Sequence, residues 1–563
     1  MLTPTPLEEL LDLAADVIGR DRRVLSAGAA GSPFITLGGG LGQAVRLQAH
    51  AEQQLGLAVD LAQLLGPAPL ADVLARARPA PARTPGPATD GGGRTGAVRA
   101  LLPGQSAALT AERDAGARVV ARILSAELSG PLERGALRRA LTALSTRHEG
   151  LRTAFAATPR GPVRRVLAVC PPPLVTLEPV AAGPGEDLVA AAHARLAVRA
   201  GGLVARPGLP PLAFVLTPLA AGSHLLSFVH HDAVADSRSA ALVWQELLAD
   251  YDRAVRRRPL DQAPRPGPDA PYRTRPAGGP GPARVPPAEH AEHAEGVERV
   301  ERAERLRGLA AGLGLAPAPQ SAASFDFRGE RLLFGLGTRL RDAADATARR
   351  AGVPHSTVLL AAWALAVGRR AGRERLLVGT EMPRRPTPEL LRTLVPCTAT
   401  VPVVCELEGG VDYFLRGIAC AFSEALRYAD LDDADAARAA GVPADRFRPV
   451  PAQVTFAARD ELLPESLRAG GLSARFHHGH PGTVTADAAL TVLRWREHPL
   501  LSLEFASARL TRAQAAQLAR ALRAALTALV TSPPHTPVDD LLEDTPAVRD
   551  EAPATRPLAV PLP

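Results

Sequence analysis

Lysine is absent from this 563-residue chain, so arginine supplies all 65 of its strongly basic side chains. The formal net charge is +7, but the arginines are spread along the whole sequence, and aromatic residues make up only 4% of it. A nucleic-acid-binding protein is expected to cluster its basic residues and to interleave them with aromatic side chains that stack on bases. We therefore expect no nucleic-acid partner.

Cysteine is scarce too, and the few cysteines form no CxxC pair: Cys170, Cys397, Cys405 and Cys420. A structural zinc site usually needs such pairs. The stretch His477 to His480 has a spacing that could suit a metal, but no carboxylate cluster or cysteine lies near it in the sequence. We interpret it as a turn between strands and predict no metal.

Long apolar runs and a secretion signal are also missing. The first apolar segment, Leu7 to Val17, is amphipathic and carries acidic residues, unlike a signal peptide. No run reaches the roughly 20 apolar residues of a membrane-spanning helix. These absences predict a protein with no membrane partner, located in the cytoplasm, where thiols stay reduced.

The length predicts several domains, because one hydrophobic core rarely grows beyond about 250–300 residues. Residues 1–78 have the pattern of four short helices, and 79–99 form a linker rich in proline and glycine. Alternating helix and strand patterns then fill two lobes, 100–275 and 276–543, the second with a charged helix near its start at 291–311. The proline-containing tail at 544–563 is predicted to be disordered.

The N-terminal helices resemble peptidyl and acyl carrier domains. The resemblance depends on Leu37-Gly38-Gly39 and on Ala44 to Leu47, which match the carrier signature together and in register. In that family a serine carries phosphopantetheine at a helix N-terminus. Leu41 occupies the serine position here and has no hydroxyl, so we expect a degenerate carrier-like domain that is not loaded and serves for docking or structural support.

Two adjacent histidines mark the centre of the first lobe. The apolar run Leu225 to Val229 predicts a buried strand, and His230 and His231 follow it. Asp236 or Ser237 then caps a helix that continues through Tyr251. A neutral imidazole at such a junction can accept a proton near pH 7.

Several blocks in order resemble the condensation domains of nonribosomal peptide synthetases, in the chloramphenicol-acetyltransferase-like superfamily. They are Arg147-His148-Glu149, the stretch from His230 to Ser237, Gly379 to Arg385 and Ala452 to Phe456. The resemblance implies an α+β fold (an α/β two-layer sandwich) with two lobes in a V and a tunnel between them.

The family pattern also implies roles for individual residues. His231 would be the catalytic base with His230 as its partner, and Asp236 would anchor the loop, with Arg385 as its candidate ion-pair partner. Arg147 and Arg385 would support the site, and Ser237 replaces the family glycine. Ser239 and Thr380 are expected to line the tunnel.

The spacing within the histidine motif departs from the family. Three residues separate the second histidine from the aspartate in the family, and four separate His231 from Asp236 here. If the helix register is kept from Asp236, the catalytic position falls on Asp232. If the loop carries an insertion, it falls on His231. The sequence leaves both alternatives open.

The resemblance implies an acyltransferase of natural-product, including antibiotic, biosynthesis. It would form an amide or ester between an acyl or aminoacyl thioester and a small-molecule amine or alcohol. The donor would be presented on the phosphopantetheine arm of a partner acyl or peptidyl carrier protein, and no cofactor would be covalently bound. The alternative is a catalytically impaired scaffold that recruits carrier proteins or tailoring enzymes.

Overall fold

The structure, a computed structural model, describes most of the chain. The described residues are 5–19, 29–80, 98–102, 105, 108–109, 121–158, 161–180, 187–219, 222–260, 327–385, 388–426, 454–460 and 462–543. The predicted charged helix at 291–311 and the predicted disordered tail lie outside these residues.

Four helices form a small N-terminal unit. They are α1 (Pro6–Ile18), α2 (Leu41–His50), α3 (Leu61–Leu64) and α4 (Leu70–Ala75), with the paired strands β1 (Leu57–Ala58) and β2 (Arg78–Pro79) beside them. Thr5 and Glu8 cap α1 reciprocally, and Phe34 is fully buried in the unit's apolar core. The four predicted helices are therefore present in the described part of this unit.

The next part of the chain builds the first lobe. Its elements are β3 (Val98–Arg99), β4 (Ala121–Ser129), α5 (Arg134–Arg147), β5 (Thr153–Thr158), β6 (Gly161–Val166), β7 (Leu174–Thr176), α6 (Leu188–Val204), β8 (Leu212–Pro218), β9 (His224–His231) and α7 (Ser237–Val255). Helices α5 and α7 pack on one face of the β4-β9-β8 sheet, where Phe228 and Trp244 are buried. Helix α6 packs on the other face, where its Leu196 is buried together with Val229 of β9.

The rest of the described chain supplies the second lobe and two strands that join the first lobe. Its elements are β10 (Gly329–Gly335), α8 (Thr338–Ala351), α9 (His355–Ala371), β11 (Arg375–Pro383), α10 (Pro388–Leu391), β12 (Thr398–Glu406), α11 (Val411–Leu426), β13 (Val454–Ala458), β14 (Ser466–Ala469), β15 (Leu472–Gly479), β16 (Ala488–Arg494), β17 (Leu500–Ala506), α12 (Arg512–Thr531) and α13 (Val538–Glu543). The sheet order is β10-β17-β16-β13-β11-β12, and it mixes parallel and antiparallel pairs.

No single helix in the described ranges is long and apolar enough to cross a membrane. The pair α8 and α9, bent by 104°, passes that test jointly by length and composition only. Helix α9 is buried along most of its length, with Trp363 at 0% exposure in the core of the second lobe. The burial of α9 in the core therefore explains the apolar composition of this helix pair.

Strands β14 and β15 correct the simple division of the chain at residue 276. Although they follow β13 in sequence, they join the first sheet, whose order is β14-β15-β4-β9-β8-β7. Strand β15 pairs antiparallel with β4, and Phe476 lies opposite Ala126. The buried side chains of β15 complete the apolar core under α7, which explains why the strand crosses to the other lobe.

The N-terminal unit packs on the second lobe. Helix α2 contacts α10, and α3 contacts α11. Val45 and Ala49 of α2 are buried in the same apolar cluster as α9 and α12 of the second lobe. The unit and the lobe therefore share a continuous apolar interior.

Candidate functional site

The candidate site lies at the junction of β9 and α7. The strand ends at His231, and a turn follows in which the Val234 amide donates to the His231 carbonyl at 2.9 Å. Helix α7 begins at Ser237, and the carboxylate of Asp236 caps it by accepting the Ser239 amide at 2.8 Å. The predicted strand, polar loop and capped helix are all present.

Asp236 attaches this loop to the second lobe. Its Oδ1 accepts from Arg385 Nη2 at 2.8 Å, and the side chains are only 5% and 1% exposed. Its Oδ2 accepts the Cys397 amide and the Thr398 hydroxyl. Burial alone would raise the pKa of Asp236, but Arg385 and these hydrogen bonds outweigh it and hold that pKa below its ordinary value. The expected ion pair is therefore present.

Arg385 binds several further acceptors. Its guanidinium donates to the Ser239 hydroxyl and to the carbonyls of Leu390, Thr393 and Val395. Ser239 is fully buried in this cluster, so the structure corrects the expectation that it lines a tunnel. One guanidinium thus joins the start of α7 to the segment around α10.

Arg147 supports α7 from the other side. It is 2% exposed and pairs with Glu246 at 2.6 Å and with Asp250 at 2.7 Å. The neighbouring His148 contacts the same Glu246 carboxylate at 2.8 Å. Arg147 and His148 therefore tie the end of α5 to α7.

His230 points toward the face of the sheet that α5 and α7 cover. Its ring stacks on Phe228 with the centroids 4.7 Å apart, and Phe228 belongs to the core beneath α7. Its Nδ1 lies 3.2 Å from the His231 carbonyl, to which it can only donate. Burial lowers the pKa of His230 to about 4, so the ring is neutral at pH 7.

His231 has the opposite hydrogen-bonding pattern. Its Nδ1 accepts the Ala233 amide at 3.0 Å. Because a backbone amide only donates, the neutral ring carries its proton on Nε2. The ring is also 2% exposed. In this geometry Nε2 of His231 is a hydrogen-bond donor, not a base.

Asp232 is more exposed to solvent than His230 and His231. Its side chain is 32% exposed and forms a two-pronged ion pair with Arg122 of β4, in which Nε lies 2.9 Å from Oδ1 and Nη2 lies 3.0 Å from Oδ2. Burial of the carboxylate would raise the pKa of Asp232, but Arg122 holds it below its ordinary value. Of the two positions left open by the motif spacing, Asp232 is the exposed one.

More charged side chains extend this pair into the second lobe. Arg122 has a raised pKa, chiefly because of Asp232 and further because of Glu504 and Glu381 across the lobes. Glu381 pairs with Arg459 through both carboxylate oxygens.

Glu504 lies opposite Arg331 in the β10–β17 pair, and His480 Nδ1 is 3.5 Å away. Burial would raise the pKa of Glu504, but the neighbouring His480, Arg122 and Arg331 lower it to about 2. Together with Asp232, Glu381 and Arg459, these groups form a charge cluster between the lobes. The cluster contains as many carboxylates as guanidinium groups. Sequence reasoning missed the cluster, because its members lie on separate strands or directly after them.

The remaining predicted residues lie around this region. Ser237 is the first residue of α7 and is half-buried. Thr380 is 5% exposed within β11, opposite Val401 of β12. His477 and His478 lie within β15, not in a turn, so that interpretation was wrong; His477 contacts Glu127 of β4 at 3.1 Å.

Comparisons with known proteins identify the fold. Residues 301–448 match the family model of the condensation domain. The condensation domain from the Monacolin K polyketide synthase MokA has a TM-score of 0.62 at 15% identity, covering 78% of this chain and 99% of that chain. The X-domain from teicoplanin biosynthesis has a TM-score of 0.61 at 22% identity, covering 78% and 96%.

A third similar structure is the first condensation domain of the calcium-dependent antibiotic synthetase, with a TM-score of 0.59 at 20% identity over 79% of this chain and 99% of that chain. No curated protein matches the sequence. The chain therefore has the two-lobed, mixed α/β fold of condensation domains. Nothing in these matches identifies the N-terminal unit as a carrier domain, so that resemblance stays a prediction.

Proposed function

We propose that this chain is a condensation-fold protein of nonribosomal peptide or polyketide assembly that recruits carrier-bound partners without histidine-based catalysis. The observation that carries the proposal is the pairing at the end of β9: Nδ1 of His231 accepts the Ala233 amide, and Asp232 is paired with Arg122. Both features remove a base from the place where the family resemblance requires one.

General base catalysis needs a lone pair within about 2.6–3.2 Å of the proton that is removed. The lone pair of neutral His231 is engaged at Nδ1, so Nε2 has none to offer. Asp232 does not replace it, because a carboxylate whose pKa is lowered by a guanidinium is a weak base at pH 7. Forming the amide or ester bond would then lack its proton acceptor.

Recruitment is supported by what similar structures contain. The X-domain from teicoplanin biosynthesis forms a complex with OxyB, and it is 22% identical to this chain. A starter condensation domain of rhizomide synthetase holds C8-CoA, a pantetheine-linked acyl chain. By analogy, the partners of this chain would be proteins of an assembly line and the pantetheine arms that they present.

A second candidate is the condensation-type acyltransferase, and two observations favour it. The anchor between Asp236 and Arg385 is intact, and it holds the histidine loop against the second lobe. His230 donates from Nδ1, which leaves Nε2 of the neutral ring as its basic nitrogen. In this candidate His230, not His231, would be the proton acceptor.

One experiment separates the two functions. The full-length chain is mixed with carrier proteins loaded with acyl or aminoacyl thioesters and with amine or alcohol acceptors. Carrier binding is measured by interferometry, and product is measured by mass spectrometry. The proposal predicts binding without product above the rate of carriers alone.

The variants His230→Ala and His231→Ala are compared with Gln53→Ala, an exposed residue after α2. Product that forms with wild type and with Gln53→Ala, but is lost with either histidine variant, would overturn the scaffold proposal in favour of the enzyme. Absence of carrier binding would reject both.

A further inference from the structure

The surface of the second lobe beside α10 and α11 is covered by the N-terminal unit through apolar side chains. Val45 is 3% exposed and Ala49 is fully buried, although both lie on α2 of a separate small unit. Four partly buried residues contact the apolar clusters of both the unit and the lobe, namely Leu41, Leu61, Phe422 and Leu426. The contact is thus continuous with both cores.

Leu41 occupies a particular place in this contact. It is the first residue of α2, and Gly40 before it caps the helix without a side chain. A helix start normally favours polar groups that satisfy its free amides. Here Gln43 Oε1 accepts the Gly40 amide at 2.9 Å, and the apolar side chain of Leu41 contacts both clusters, which suits a helix end that is covered by another part of the protein.

Like charges meet where the two parts touch. Arg46 of α2, Arg392 after α10 and Arg238 of α7 lie at this junction with like charge. Burial, followed by repulsion from Arg46 and Arg385, lowers the pKa of Arg238 to about 10. Burial, followed by Arg392 and Arg46, also lowers the pKa of His50 at the end of α2. These charges oppose the contact, and the shared apolar side chains favour it.

The covered surface is connected to the candidate site. Helix α2 packs on α10, and the carbonyls of Leu390 in α10 and Thr393 just after it accept hydrogen bonds from Arg385. The same guanidinium binds Asp236 in the histidine loop. A continuous path of contacts leads from α2 through α10 and Arg385 to the loop.

We propose that the α10–α11 face is a docking surface for a small helical domain, that the N-terminal unit is its permanent intramolecular occupant, and that this occupant keeps α10 in place as a support for the Asp236–Arg385 anchor. This docking is independent of the proposed function, because fragment retention and hydrogen exchange can be measured without a partner or a reaction.

The first test cuts the full-length chain at a protease site placed within the linker segment 81–97. The N-terminal fragment of the wild type is expected to co-elute with the rest of the chain in gel filtration, also in 1 M NaCl, because salt screens the repulsion between the arginines. A fragment that elutes alone overturns docking. A fragment that is released only by salt overturns the apolar contact as its cause.

Two variants weaken the contact from opposite sides. Val45→Asp puts a carboxylate into the shared interior from α2, and Phe422→Ser removes a contact from α11 without changing the unit itself. Gln53→Asp adds the same charge at an exposed position after α2 and serves as the control. We expect at least a tenfold loss of fragment retention for the first two variants and none for the control.

Hydrogen exchange of the uncut proteins supplies the second readout. Val45→Asp and Phe422→Ser should accelerate exchange in α10 and in residues 392–398, with unchanged exchange in α6 of the first lobe. Unchanged exchange at α10, together with lost retention, would show that the unit docks but does not support the anchor. Retention by Phe422→Ser equal to that of the control would overturn the assignment of the surface.

Discussion

Removing the carboxylate of Asp236 should destabilise the protein more than any change to an exposed charge. The variant Asp236→Ala leaves the guanidinium of Arg385 buried at 1% exposure without its counter-ion. Breaking a buried ion pair in this way costs about 3–5 kcal/mol, and losing the cap of α7 adds about 1 kcal/mol. Because Arg385 keeps four neutral acceptors, we expect the total to lie near the lower end of the sum, about 4 kcal/mol.

The assay is thermal unfolding of the full-length chain. For lobes of this size, 1 kcal/mol corresponds to about 2–4 °C in Tm, so Asp236→Ala should lower the Tm of the affected transition by roughly 8–16 °C. The matched control is Glu330→Gln, which removes an exposed ion pair with Arg512 in which both side chains are about half exposed. Such pairs contribute about 0–1 kcal/mol.

The pH dependence provides an independent check. The folded-state pKa of Asp236 is lowered, so its stabilising contribution is fully present above the unfolded pKa of about 3.9 and is lost as the pH falls through the folded value. The stability difference between wild type and Asp236→Ala should therefore shrink in acid. A Tm change no larger than that of Glu330→Gln, or a difference that grows in acid, would refute this account of the anchor.

Three further predictions concern other parts of the molecule. Gly150→Ala should destabilise by about 1–3 kcal/mol, because the added Cβ would lie 2.5 Å from the backbone oxygen of Leu394 in the other lobe. The control is Gly201→Ala in α6, where nothing lies within 4 Å of the added Cβ, and it should be neutral or stabilising by up to about 1 kcal/mol. Equal urea unfolding midpoints for the two variants would contradict the steric argument. Tyr251→Phe should cost about 1 kcal/mol in chemical unfolding, because its hydroxyl accepts the backbone amide before α5; an unchanged midpoint would mean that water replaces the bond. Incubation with coenzyme A and a phosphopantetheinyl transferase should leave the intact mass unchanged, since Leu41 has no hydroxyl, and a gain of one phosphopantetheine would show another attachment residue.

Elements with strong local patterns were predictable from the sequence. The buried strand before the histidines is observed as β9, and the capped helix predicted through Tyr251 is observed as α7, which ends at Val255. Both combine a regular apolar pattern with a clear cap or turn. The Asp236–Arg385 pair was also expected, because the family resemblance linked two blocks that lie 149 residues apart.

Strand β4 was missed because its pattern is interrupted by a polar residue in the core. Ser125 is fully buried and hydrogen-bonds both His193 of α6 and Ser227 of β9. A buried serine looks like an exposed position until its partners are known. Strand β15 was missed for a related reason, since its histidines suggested a turn.

The pair of Arg122 and Asp232 had no signal in the sequence. The two residues lie 110 positions apart, and the strand that carries Arg122 had not been assigned. The motif spacing narrowed the catalytic position to His231 or Asp232, but the choice between them depends on where β9 ends. That end is set by pairing with β4, where His231 lies opposite Ala121, and such long-range pairing is not encoded locally.

The late strand β15 has a consequence for synthesis on the ribosome. Strand β4 emerges early, yet one of its two neighbours in the sheet is not translated until about 350 residues later, as the contact between Glu127 and His477 illustrates. During that interval β4 has an open edge, which is the kind of surface that pairs with other chains. We expect truncation products that stop before residue 472 to aggregate, and the first lobe to become protease-resistant only after the nascent chain has passed β15.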